Sequence, residues 1–273
     1  MTEIRVGVVG LGYWGPVLAR NFASHPRTRL AALVDRDRER LEAAGGAFKD
    51  VPLFAEMEEC LALVDAVAIA TPVSSHFALA RAALESGKHL FIEKPMARSS
   101  REARELQRLA DEKGLVIAVD HLLLYQGVVR KVKEIIESGE LGEILYYDSV
   151  RANLGLFQQD VDVVWDLGPH EFSQMIYLLG EPEDGMLPVG AAHYPAGLAD
   201  DVHVHFRYPG GVVASVYMSW LSPFKRRMTV IGGSRKMLAF SDLWAEEEIK
   251  VYERSVRARK EGEGYAYEYE RGG

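Results

Sequence analysis

Up to about residue 120 the chain alternates short apolar runs with stretches of helical spacing. The runs Ile4–Val9, Leu30–Val34, Ala66–Ala70, His89–Ile92 and Val116–Val119 read as strands. Between them Pro16–Ser24, Arg36–Ala44, Ser75–Ser86 and Ser100–Lys113 read as helices, with Ser86-Gly87 and Lys113-Gly114 as glycine stops. Strands that alternate with helices need helices on both faces of a parallel sheet, so residues 1–121 are expected to form a doubly wound α/β domain.

After a further helix, Gln126–Ser138, the rhythm changes. Strand candidates follow one another: Glu143–Asn153, Val189–Tyr194, Asp201–Tyr208, Gly211–Leu221, Arg227–Ile231, Lys236–Phe240 and Glu248–Glu253. Apolar and polar residues alternate strictly from Val202 to Arg207, the pattern of a sheet covered on one face, and Pro209-Gly210-Gly211 makes a hairpin turn. One helix, Pro169–Leu179, interrupts the series. Residues 122–273 are therefore expected to form an α+β domain with a mainly antiparallel, open sheet. The polar, glycine-rich end, Glu261–Gly273, is expected to fray.

Composition narrows the function classes. The 273 residues exceed a typical single domain, and 48% hydrophobic content supplies a sizeable core. A net charge of −8 without any Lys/Arg-rich block argues against a nucleic-acid partner. Cys60 is the only cysteine, which excludes a disulfide framework and a multi-cysteine metal site. No HExxH or other His/carboxylate cluster of ligand spacing appears, so no metal is expected. No apolar run long enough to span a membrane is present, and the first strand begins where a signal peptide would need its basic region. A cytoplasmic protein is the expectation.

The first strand ends in Gly10-Leu11-Gly12-Tyr13-Trp14-Gly15, a G-x-G-x-x-G loop before a helix. Gly10 permits the tight turn, Gly12 lets backbone N–H groups approach a pyrophosphate, and Gly15 allows close strand–helix packing. The phosphates would then meet the positive end of the helix dipole. Asp35 closes the second strand, where a carboxylate can accept hydrogen bonds from an adenosine ribose and repel a 2′-phosphate. That favours NAD; Arg36 and Arg38 leave NADP open, because a guanidinium can pair with a phosphate.

Three further stretches carry polar residues suited to chemistry. Thr71-Pro72 ends the third strand and His76 follows it, either at the ligand crevice or as a helix cap. His89–Ile92 ends in Glu93-Lys94-Pro95, which puts an ammonium at the carboxyl end of a central strand in a turn constrained by proline. In Asp166-Leu167-Gly168-Pro169-His170, Pro169 suits a first helical turn, Asp166 an N-cap, and the imidazole of His170 a general base. Arg151, Asn153 and His121 are candidate donors to a polar substrate. His193, His203 and His205 read as strand-face residues without a role.

Taken in order, the glycine loop 10–15, Thr71-Pro72 with His76, Glu93-Lys94-Pro95 and Asp166 to His170 resemble the glucose–fructose oxidoreductase/inositol dehydrogenase/rhizopine-catabolism (Gfo/Idh/MocA) family. The resemblance implies an N-terminal Rossmann domain and a second domain whose open sheet assembles homodimers or homotetramers. It implies an NAD(P)-dependent oxidoreductase acting on a secondary hydroxyl or ketone of a sugar, cyclitol or nucleotide sugar. Lys94, Asp166 and His170 stand where the family has its catalytic residues. Gly10, Gly12, Tyr13, Trp14, Gly15, Asp35, Arg36, Thr71, Pro72, His76, Glu93 and Lys94 stand at its cofactor positions. Arg151-Ala152-Asn153-Leu154-Gly155 and the run from Asp160 to Asp166 look most like the UDP-N-acetylglucosamine-type 3-dehydrogenases. Against such relatives the second domain is expected to lack a terminal segment. A dinucleotide-binding sensor on the same fold is the alternative reading.

Overall fold

The structure is a computed structural model and describes residues 3–183, 185–195, 197–244, 248–261 and 263–272. The chain divides into two compact units, Met1–Asp120 and His121–Gly273.

The first unit is built on β1 (Ile4–Val9), β2 (Thr28–Val34), β3 (Leu53–Phe54), β4 (Ala66–Ile69), β5 (His89–Ile92) and β6 (Ile117–Val119). They pair in parallel in the order β3-β2-β1-β4-β5-β6, with helices α1 (Gly15–Ser24), α2 (Arg38–Ala47), α3 (Val73–Glu85) and α4 (Ser100–Lys113) between them. That is the doubly wound order whose ligand crevice lies beyond the carboxyl ends of the strands. The strands are apolar throughout because both faces are covered. Val67, Ile69, Leu90 and Ile92 pack with Ala80, Leu84 and Leu106 on one side, while Val6, Val8, Leu33 and Ala68 pack with Leu18 and Ala44 on the other.

The helices begin and end where local chemistry dictates. Ser99 caps α4 through Glu102 N, and Gly114, at φ 63°, closes it in the left-handed region. α2 starts at Arg38, not at Arg36 as predicted, because the Asp37 side chain accepts from Glu39 N and Arg40 N. β3, two residues long, was not foreseen.

The second unit contains α5 (Gly127–Glu137), β7 (Ile144–Leu154), α6 (Val163–Leu179), β8 (Met186–Ala191), β9 (Asp201–Arg207), β10 (Val213–Ser219), β11 (Leu221–Gly233), β12 (Met237–Phe240) and β13 (Ile249–Tyr252). Its seven-stranded sheet runs β13-β12-β11-β7-β10-β9-β8, antiparallel except for the β7–β10 pair. α5 and α6 cover one face: Val129, Val132, Met175 and Leu178 pack on Tyr147, Val204, Val216 and Met218.

Three expectations are corrected here. The helix predicted from Pro169 begins six residues earlier, at Val163, with Asp162 as N-cap and Pro169 inside it. The strand predicted at Val189–Tyr194 lies at Met186–Ala191. The predicted frayed end instead carries a hairpin, β14 (Arg254–Glu261) paired with β15 (Gly264–Arg271); Gly262 and Gly273 lie outside the described residues. Among the described residues no helix is long and apolar enough to cross a membrane.

Candidate active site

The glycine loop forms a cradle. Gly10 has φ +92°, and a Cβ there would come within 2.8 Å of the Ala70 backbone. A Cβ on Gly15 would stand 1.9 Å from the Gly10 carbonyl oxygen, so only glycine lets α1 start so close to β1. Gly12 is different: a Cβ there would meet only Arg40 Nη1, at 3.6 Å, so the residue faces open space. That space is a cavity of about 670 Å³ with Gly10, Gly12, Tyr13, Trp14, Asp35, Arg36, Thr71 and Pro72 on its wall. Gly15, His76, Glu93 and Lys94, also assigned to the cofactor from sequence, are not on that wall.

Two backbone N–H groups hold the Asp35 carboxylate. Leu11 N donates to its Oδ2 at 2.6 Å and Asp37 N to its Oδ1 at 2.9 Å. Arg36 is turned to Glu56, with Nη2 2.9 Å from Oε2, and Arg38 to Glu42 at 2.9 Å. Their charges are thereby answered within the protein. Arg40, overlooked in the sequence, lines the cavity 4.0 Å from Asp35 and 3.3 Å from Asp37; its signal was the helical spacing from the Asp37 cap. The open backbone at Gly12 beside a start of α1 that tolerates no Cβ fits a dinucleotide pyrophosphate, and the held carboxylate at Asp35 fits a ribose diol.

The carboxyl ends of β4, β5 and β6 lie side by side. Ser75 Oγ lies 2.7 Å from Thr71 Oγ1. Glu93 N donates to Ile69 O at 3.0 Å, and the Lys94–Pro95 bond that follows is cis. Glu93 is only 7% exposed. Burial, and after it the charge and hydrogen bond of Asp120 at the end of β6, push its carboxyl up to about 7. Asp120 was not singled out from sequence; its position at a neighbouring strand end was the available signal. His76 is buried at 1% exposure, and the helix-cap reading is corrected: α3 has Pro72 as its N-cap and no side-chain cap hydrogen bond. The imidazole Nδ1 of His76 lies 2.9 Å from Pro95 O and its Nε2 2.9 Å from Thr71 O.

In the second unit Asp162 caps α6 through Val164 N and Trp165 N, both at 3.0 Å, which moves Asp166 from the predicted cap into the first turn. Asp166 and His170 are therefore one turn apart on a continuous helix, on one side of it. Trp220 Nε1 donates to Asp166 Oδ2 at 3.1 Å, and the Phe157 ring lies 5.2 Å from that indole and 4.9 Å from the ring of Tyr194. None of these three aromatic residues was identified from sequence, because their partners are distant in the chain.

Arg151 is buried, and its Nε donates to Glu171, which is 2% exposed. Ser149 Oγ donates to the other oxygen of that carboxylate. Asn153 is half-buried near the end of β7, and His121 opens the second unit. His193, given no role, donates through its backbone N and its ring to buried Asp200, at 2.8 and 2.6 Å, and that carboxylate raises the imidazole pKa. Lys94 belongs to the first unit, Asp166 and His170 to the second. Among the described residues no group of three His, Cys, Asp or Glu side chains could hold a metal ion.

Residues 4–121 match the family described as oxidoreductase, NAD-binding Rossmann fold (GFO_IDH_MocA), and residues 129–239 match the GFO/IDH/MocA C-terminal domain. The uncharacterised oxidoreductase YdgJ of Escherichia coli (strain K12) is 30% identical over 251 residues, which cover 85% of this chain and 70% of that protein. UDP-N-acetylglucosamine 3-dehydrogenase of Acidithiobacillus ferrooxidans is 31% identical over 195 residues, 70% of this chain and 59% of that protein. A solved structure of UDP-N-acetylglucosamine 3-dehydrogenase GnnA from Acidithiobacillus ferrooxidans superposes with a TM-score of 0.81 at 27% identity, covering 93% of this chain and 81% of the other. The chain belongs to the Gfo/Idh/MocA family of oxidoreductases, with the NAD-binding Rossmann fold first and the family's C-terminal domain after it.

Proposed function

We propose that the protein is an NAD-dependent dehydrogenase of a secondary hydroxyl on a nucleotide-linked sugar of the UDP-N-acetylglucosamine type. The observation that carries the reading is the cavity of about 670 Å³ walled by the glycine cradle and the held carboxylate of Asp35. Gly10 and Gly12 would take the pyrophosphate and Asp35 the adenosine ribose. NAD is favoured over NADP because Asp35 repels a 2′-phosphate and the two guanidinium groups on the cavity wall are paired with carboxylates, Arg36 with Glu56 and Arg40 with Asp37. When bound, nicotinamide supplies the acceptor for a hydride.

The chain's own residues handle the oxygen and its proton. Lys94 donates to the substrate oxygen and holds it as its charge grows, and His170 takes the hydroxyl proton. Asp166, tied to Trp220, orients the substrate or the imidazole. The kinship to UDP-N-acetylglucosamine 3-dehydrogenase supports the substrate class. Two or four copies associate through the open face of the seven-stranded sheet.

The test is reduced-nicotinamide absorbance with a panel of UDP-sugars, free sugars and cyclitols, for the wild type, Lys94→Ala and His170→Ala. Turnover on UDP-sugars that falls by about 10²-fold or more in each variant is expected. Tight cofactor binding without turnover on any compound would favour the sensor reading instead.

A further inference from the structure

His76 stands on α3, yet its ring is committed to two turns that follow adjacent strands. One nitrogen faces the carbonyl of Thr71, after β4, and the other that of Pro95, after β5, each at 2.9 Å. A carbonyl only accepts, so each contact is a hydrogen bond when that nitrogen carries the proton: the charged ring donates to both, the neutral ring to one. A histidine that merely filled a core would not need two acceptors on separate turns.

The consequence falls on Lys94. On its amino side the chain is held where Glu93 N donates to Ile69 O, at 3.0 Å, the last rung of the β4–β5 ladder. On its carboxyl side the Pro95 carbonyl is held by His76. Lys94 is the one residue between these two anchors. At its other end the ring grips Thr71, which lines the dinucleotide cavity and whose hydroxyl lies 2.7 Å from Ser75 Oγ of the same helix.

We infer that His76 is a positioning residue, a strut that fixes the lysine turn to the cofactor-side turn and holds the ammonium of Lys94 in register with the dinucleotide. This rests on the reading of Lys94 given above. Misplacement of a catalytic group by about 1 Å can cost about 10²-fold in rate, so loss of the strut falls on turnover more than on cofactor affinity.

The experiment is a double-mutant cycle in the full chain. His76→Phe keeps the ring and its burial without any N–H; His76→Gln keeps a donor amide and serves should the phenylalanine variant fold poorly. Each is made with and without Lys94→Ala, and kcat, KM, NADH affinity by fluorescence, and amide exchange are measured. In His76→Phe kcat is expected to fall at least about tenfold with NADH affinity within about threefold, and His76→Gln to recover part of the loss. In the Lys94→Ala background the same substitution is expected to change kcat by less than about twofold, since the group it positions is gone. Equal losses with and without Lys94, or unchanged kcat in His76→Phe, overturn the inference. Amide exchange separates this from the functional reading. Exchange that speeds at residues 94–98 in the His76 variants but not in β1, in a protein that turns over no substrate, upholds the strut and sinks the dehydrogenase. Unchanged exchange at 94–98 sinks the strut whatever the activity.

Discussion

Glu93 and Asp65 show at single residues how burial and pairing pull carboxyl groups in opposite directions. Hydrogen bonds from Arg5 hold Asp65 down at about 2, so what it adds to stability is present above its ordinary 3.8 and is lost as pH falls toward 2. Burial, followed by the neighbouring Asp120 carboxylate, raises Glu93 from 4.5 to about 7. A raised carboxyl favours the folded state only while protonated. Its contribution is therefore complete below pH 4.5 and is lost as pH rises through about 7. Thermal melts of the wild type should show the melting temperature declining across that window, and Glu93→Gln, which stays uncharged, should flatten the decline. An equally steep fall in the variant would assign it to another group.

At the scale of elements, α6 is the helix whose start was misplaced furthest, by six residues, and the one that carries Asp166 and His170. Asp162 is its N-cap, accepting from two backbone N–H groups that otherwise have no helical partner. Asp162→Ala is expected to cost about 1 kcal/mol, read as a lower midpoint in urea unfolding at unchanged slope. A cost near zero would put the true start at Pro169. The misreading has a physical source: proline is favoured in a first turn and penalised inside a helix, so Pro169 looks like a beginning. Gly168 before it relieves the contact. It lets the helix lie close to the sheet, where a Cβ would meet Phe172 at 2.8 Å and Met218 at 3.3 Å. The strands of the first unit other than β3 were legible because burial on both faces leaves continuous apolar runs and glycines mark the helix ends. The glycine loop and Asp35 were legible for a related reason: their spacing follows from one strand, one turn and one helix. What stayed hidden depends on contacts between distant positions. Glu171 as the partner of Arg151, Asp120 beside Glu93 and Trp220 on Asp166 are set by sheet register and helix docking, which no local pattern encodes. The hairpin β14–β15 was missed because charged residues alternate with tyrosines there, and its polar composition masked the strand period.

At the scale of the molecule, among the described residues the seven-stranded sheet has helices of its own unit on one face only. Register assigns the sides. Val202, Val204, Val216 and Met218 point to α5 and α6, so their neighbours His203, His205, Ser215 and Tyr217 point away, joined by Val213, Tyr146 and Met228 on the same face. Leu187, Val189, Val213 and Met228 are exposed there, and His203 stacks on Tyr217 with ring centres 4.3 Å apart. Seven strands spaced about 4.8 Å and averaging about seven residues give a face of about 800 Å², similar to the area that each partner buries in a stable complex. The exposed apolar side chains on that face cost free energy in water, and a second copy placed around a two-fold axis would cover them. Such an axis presents each residue of the face twice, so a charge added at Val213 and at Met228 enters the interface four times per dimer. Sedimentation at micromolar concentration should show the wild type as a dimer or tetramer and Val213→Glu/Met228→Glu as a monomer with unchanged circular dichroism. The melting temperature of the wild type should rise with protein concentration and that of the variant should not. A wild type that sediments as a monomer, or a variant that still assembles, would leave this face to some other partner.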